Sequence, residues 1–190
     1  MKNKIAALLA LSVYIPTASA HSMASESGGL ISGLVHPLMG LDHMLAMIAV
    51  GLWAAQLGGS ALWRLPLSFM SMMVFAAVIA ASGFNLPSAD LLIAASVICL
   101  GCLIALGIRL PINISACLVG LFAVFHGYAH GLEMPQTPSA IYYGSGFIIA
   151  TALLHLSGIV LGKSTYQLAL LSRLSGVMIA LAGLYLVTTA

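Results

Sequence analysis

From residue 37 to the C-terminus the chain runs in apolar stretches of membrane-spanning length, broken only by short segments holding glycine, proline and most of the few charged side chains. A soluble domain carries roughly 25% charged residues. Here 62% of the 190 residues are hydrophobic and 5% are charged, more apolar surface than a water-soluble core can absorb. The breaks at Gly58-Gly59, Leu86-Pro87, Pro111, Pro135 with Pro138, and Gly162-Lys163 delimit spans at about 37–57, 62–83, 88–107, 112–133, 139–162 and 173–190. The expectation is an all-α membrane protein with six transmembrane helices and no extramembrane domain.

The N-terminus reads as a cleaved signal peptide. Lys2 and Lys4 precede an apolar run, Ile5 to Ile15, that is too short to span, and Ala18-Ser19-Ala20 is an A-x-A cleavage site. The expected layout is therefore a signal peptide over 1–20, a short periplasmic or interfacial segment over 21–36, and a six-helix domain over 37–190. Export of the new N-terminus at His21 leaves the connections near 58–63, 108–111 and 163–172 cytoplasmic. Arg64, Arg109, Lys163 and Arg173, which are all the basic residues after the signal peptide, lie in or beside them, as the positive-inside rule requires. Both termini are then periplasmic, and the protein is multi-pass in the bacterial inner membrane. A single helix from residue 28 would reach about 45 Å across a core of about 30 Å. Pro37 is expected to divide it, so that the first span is entered through a His36-Pro37 break.

An ionisable side chain at the bilayer centre costs about 2.5–3.5 kcal/mol on insertion scales, so those inside the spans point to function. The first span holds His36, Asp42 and His43, the fourth His126, His130 and Glu133, and the fifth His155. Positions i, i+4 and i+7 fall within about 60° on a helix, so His126, His130 and Glu133 form a ladder of nitrogen and oxygen ligands. One helical histidine commonly serves only as a hydrogen-bonded packing residue; three ionisable groups on one stripe favour metal binding. Gly127 and Gly131 mark a helix-packing face beside the ladder, for which the first span is the expected partner. The first span enters from outside and the fourth exits there, so both groups occupy one level of the membrane. Asp42 reaches an ion only if Gly40 loosens the helix; otherwise it orients a histidine.

Imidazole and carboxylate suit nickel, cobalt or zinc, whereas the thioethers of Met44 and Met47 would favour copper(I) unless they serve in packing. His155 is placed as an exit ligand, against packing as the alternative. His21, with its α-amine, is placed as a ligand at the mouth. Cys99 and Cys102 have C-x-x-C spacing but no second pair, so packing is their expected role. The Gly158–Ser164 segment is not a phosphate-binding loop, having three residues between its glycines where four are needed. No nucleotide site and no basic surface for nucleic acid are expected.

His36-Pro37, Gly40, Asp42-His43, Met47, Val50-Gly51 and Trp53-Ala54 resemble the opening signature of the HupE/UreJ family of nickel permeases, associated with hydrogenase and urease maturation. His126-Gly127-Tyr128-Ala129-His130-Gly131-Leu132-Glu133 resembles that family's second signature, and the likeness extends to Gly146-Phe147, Ala150-Thr151, Leu154-His155 and Gly158. The resemblance implies secondary uptake of nickel as transported substrate, with no permanently bound cofactor, no enzymatic activity, and the metal ion and the lipid bilayer as partners. A separate nickel/cobalt transporter family has a similar element with four residues between the His and the Asp-His where this chain has five. The alternatives are transport of Co2+, Zn2+ or copper, a haem-binding redox subunit, and an intramembrane metal-dependent hydrolase.

Overall fold

A computed structural model describes residues 29–83, 86–134, 140–165 and 169–189. The signal peptide, His21 and residues 21–28 of the interfacial segment lie outside the described residues, as do Pro135 and Pro138. Every described element is helical: α1 Leu30–Met39, α2 Leu41–Leu57, α3 Ala61–Ala81, α4 Ala89–Leu106, α5 Ile112–Glu133, α6 Ala140–Thr165 and α7 Ala169–Val187. Five stretches, in α3 to α7, are long and apolar enough to cross a membrane, and α1 with α2 forms a pair bent by 84° that passes the same test as one broken span. This is a multi-pass membrane protein. A helix of 21 residues such as α3 rises about 31 Å, which matches the hydrocarbon thickness.

The fifth and sixth spans are longer or earlier than their sequence punctuation suggests. Helix α6 continues through Gly162-Lys163 to Thr165, and α7 begins at Ala169. The larger correction concerns the first break. It falls at Gly40, where the backbone is extended at φ −85° and ψ 115°, and Pro37 lies inside α1. Two causes act together. Gly33 and Gly146 have no Cβ, so the α1 and α6 backbones meet, Gly33 against Tyr143 and Gly146 against Leu30, and this packing holds residues 30–39 helical despite the proline. At Gly40 a Cβ would stand 2.8 Å from Asp42 Oδ1, so a larger residue there would displace the carboxylate that lies beside His43.

Helix α2 is the hub. It packs against α6 along its length and also touches α3, α4 and α7. Ala46, Met47, Ala49, Val50, Trp53 and Ala54 are fully shielded, while the other helices present Ile31, Phe75, Val78, Ile141, Met178 and Leu184 outward. Outward apolar side chains are what lipid tails require. The close contacts are made by glycine: Gly51 and Gly158 bring α2 onto α6, and Gly101 with Gly176 brings α4 onto α7. Gly127 and Gly131 meet the backbone of α3 at Met73 and Ala77, so their partner is α3 and not the first span. The reason is angular, since each glycine follows a histidine by one residue and faces about 100° away from it. The histidine edge of α5 is thereby left to face α2.

Candidate functional site: a histidine and carboxylate cluster at one end of the bundle

The start of α2 and the end of α5 lie together, and the end of α1 joins them. His36 Nε2 stands 3.1 Å from His130 Nδ1 and 3.0 Å from Glu133 Oε2, and His130 Nδ1 stands 2.8 Å from the same oxygen. These three residues each offer one ligand atom, all within 4.8 Å of one another. Donors about 2.1 Å from a shared ion and at right angles to one another lie about 3 Å apart, so the spacing suits a metal with further positions left for water. Because α1 and α2 are separate helices, His36 is carried over the end of α5 instead of continuing the axis of α2. The break at Gly40 therefore builds this half of the site.

A second set lies deeper. His43 Nε2 faces His126 Nδ1 at 3.2 Å and is also in contact with His130 Nε2. The outer partners of the three rings decide which nitrogens carry protons. Asp42 Oδ1 lies 3.1 Å from His43 Nδ1 and, as a carboxylate, accepts the proton of that N–H. Ser96 Oγ donates to the Ile93 carbonyl at 2.7 Å, so it accepts from His126 Nε2–H at 3.0 Å. Glu133 accepts from His130 Nδ1–H. The remaining nitrogens, His126 Nδ1 and His130 Nε2, thus both present lone pairs to that of His43 Nε2. Three converging lone pairs repel unless a cation lies among them, and this is how proteins build histidine metal sites.

Exposure falls steadily along the series. The side chain of Glu133 is 55% exposed and that of His36 31%, whereas His43 retains 3% and His126 is fully buried. Phe147 of α6 covers the cluster, its ring centroid 4.8 Å from that of His130 and 5.8 Å from that of His36. A groove of about 240 Å³ between α3, α5 and α6 approaches His130 from the side, but Met73, Ala77, Val78 and Phe147 make its walls apolar, which suits a lipid tail and not an ion. His155 does not touch the cluster. It lies behind Phe69, whose ring is 5.5 Å from His126 and 5.2 Å from His155. Cys99, Cys102 and Cys117 are free thiols, two of them exposed.

Sequence reasoning missed Ser96, Tyr143, Phe147 and Phe69 as neighbours of the site. Ser96 is a small polar residue in the apolar middle of α4, and that is the one signal that marks it. The aromatic residues carry none, because a phenylalanine in a span is ordinarily packing.

The family described as HupE / UreJ protein matches residues 9–186, which include every member of the cluster. The chain belongs to the HupE/UreJ family. It is 40% identical over 183 residues to Protein HupE of Rhizobium leguminosarum bv. viciae, and the alignment covers 95% of each chain. No solved structure matches. HupE/UreJ proteins are transport and accessory proteins associated with hydrogenase and urease. In this HupE/UreJ chain the two motifs that carry the resemblance are the two ends that meet at the cluster.

Proposed function

We propose that this protein is a permease that admits a divalent transition metal, nickel first, from the periplasm to the cytoplasm. The observation that carries the reading is that His130 belongs to both donor sets, through Nδ1 to the outer one and through Nε2 to the inner one. A neutral imidazole offers one lone pair at a time, so an ion held by His36, His130 and Glu133 and an ion held by His43, His126 and His130 exclude one another. Moving between the sets requires only that His130 exchange tautomers. Such a pair of partial ligand sets passes an ion inward without trapping it, which is what conduction demands.

The direction follows from charge. Arg64, Arg109, Lys163 and Arg173 belong to helix ends or connections opposite the cluster, where α2 finishes: there Trp53 Nε1 donates to the Ile108 carbonyl and Gln56 Nε2 to Ser172 Oγ. Basic connections face the cytoplasm, so the cluster opens to the periplasm, with six spans and both termini outside after signal-peptide removal. His21 would then meet incoming ions first. Imidazole with carboxylate suits nickel, cobalt or zinc, and the family's association with hydrogenase and urease puts nickel first, while Met44 and Met47 pack into the core instead of adding soft ligands. A haem would have to part imidazoles that already face one another nitrogen to nitrogen, which argues against the redox reading.

The test is cellular uptake of radiolabelled nickel with cobalt, zinc and copper as competitors. His43→Ala and His130→Ala should abolish accumulation at unchanged protein levels. Wild-type accumulation no greater than in cells lacking the protein would refute the assignment.

A further inference from the structure

Among the described residues, four buried side-chain atoms have no hydrogen-bond partner: Tyr143 Oη, Thr151 Oγ1, His155 Nε2 and Gln56 Oε1. Three of them belong to α6. Tyr143, Thr151 and His155 fall within about 120° of one another around that helix and are spread over about 18 Å of its length. All three side chains are buried on the side that faces the bundle. Tyr143 adjoins the outer donor set, its ring 5.7 Å from that of His36. His155 lies one aromatic ring beyond the inner set, across Phe69. Gln56 closes the series at the far end of α2, where its Nε2 is committed to the Ile104 carbonyl at 3.1 Å and to Ser172 Oγ at 2.8 Å.

Unsatisfied polar groups are costly anywhere, and in a bilayer no solvent from the lipid side relieves them. Phenylalanine, valine and leucine would fill the same volumes without that penalty. A row of such groups running from the cluster toward the basic end therefore implies a partner that comes and goes. His155 shows what kind. Its Nδ1–H donates to the Thr151 carbonyl at 2.8 Å, and a carbonyl only accepts, so Nε2 holds its lone pair free and fully buried. A lone pair of that kind binds a cation or a water.

We propose that Tyr143, Thr151, His155 and Gln56 line the inner path of the ion, and that the partly hydrated divalent cation and its waters supply their missing partners in passage. The inference rests on the permease reading and extends it past the cluster. Thr151 gives a hydroxyl oxygen, His155 an imidazole nitrogen and Gln56 an amide oxygen at successive depths, each too weak alone to hold the ion. Thr151 and His155 belong to α6 and Gln56 to α2, two helices that pack along one another.

The test separates binding from movement. Wild type, Thr151→Val, Thr151→Ser and His155→Leu are purified, assayed for radiolabelled Ni2+ binding in detergent, and then for Ni2+ flux into proteoliposomes. Thr151→Val should bind nickel like wild type and unfold at no lower temperature, because an unpaired hydroxyl has been removed, while flux falls about tenfold. Thr151→Ser should restore most of the flux, and His155→Leu should bind but conduct at about a tenth of the wild-type rate. Flux equal to wild type in both Thr151→Val and His155→Leu, with wild type itself conducting, overturns the path and leaves the permease standing. A wild-type protein that neither binds nor conducts nickel overturns both.

Discussion

His130 carries its role because each of its nitrogens has a different neighbour, and the proton on its ring is placed by Glu133. Asp42 and Ser96 do the same for His43 and His126. Partners that orient metal-binding histidines typically contribute about 10–100-fold in affinity. Asp42→Asn and Ser96→Ala are therefore expected to weaken nickel binding about tenfold or more without lowering protein levels, as equilibrium binding to purified protein would measure. Unchanged affinity in both would mean that the rings are held by packing alone. The stripe of His126, His130 and Glu133 was legible from spacing, and so was the choice that Asp42 faced between an ion and a histidine. Ser96 was not legible, since a serine within a span usually turns its hydroxyl back onto its own helix. It does so here, toward Ile93, and what remains to be seen only in three dimensions is that the same oxygen also receives His126.

At the scale of the helices, glycine decides which elements approach. A methyl group on Gly158 would run into the Ile48 carbonyl, whereas one on Gly144 would find nothing nearer than Met134 Cε at 3.8 Å. Gly158→Ala should accordingly lose about 1–3 kcal/mol of stability from overpacking. Gly144→Ala should gain up to about 1 kcal/mol from helix propensity. Thermal unfolding of the detergent-solubilised variants reads the difference, and equal melting of the two would contradict the packing described for α2 and α6. The sequence showed that small residues on α5 invite a neighbour but not which neighbour. Gly127 and Gly131 look toward α3 because the histidines one residue earlier already look toward α2. It likewise showed a break before the first span yet placed it at Pro37, because α1 is kept helical by contacts to α6 that no local pattern encodes.

For the whole molecule, the span pattern was the most legible feature, since a bilayer imposes length and apolarity on each helix separately. The meeting of α1, α2 and α5 was foreseeable only as a shared depth. Orientation makes its own prediction: a reporter active only in the cytoplasm should work when fused after Gly59 or Gly107, and one active only outside should work at the C-terminus. The opposite pattern would place the cluster on the cytoplasmic side and turn entry into exit. The central claim is that metal crosses through two donor sets sharing His130, and Ni2+ flux into proteoliposomes tests it most directly. Wild type should show saturable flux that His130→Ala eliminates. Flux in wild type no greater than in empty vesicles, or undiminished flux in His130→Ala, would contradict the account.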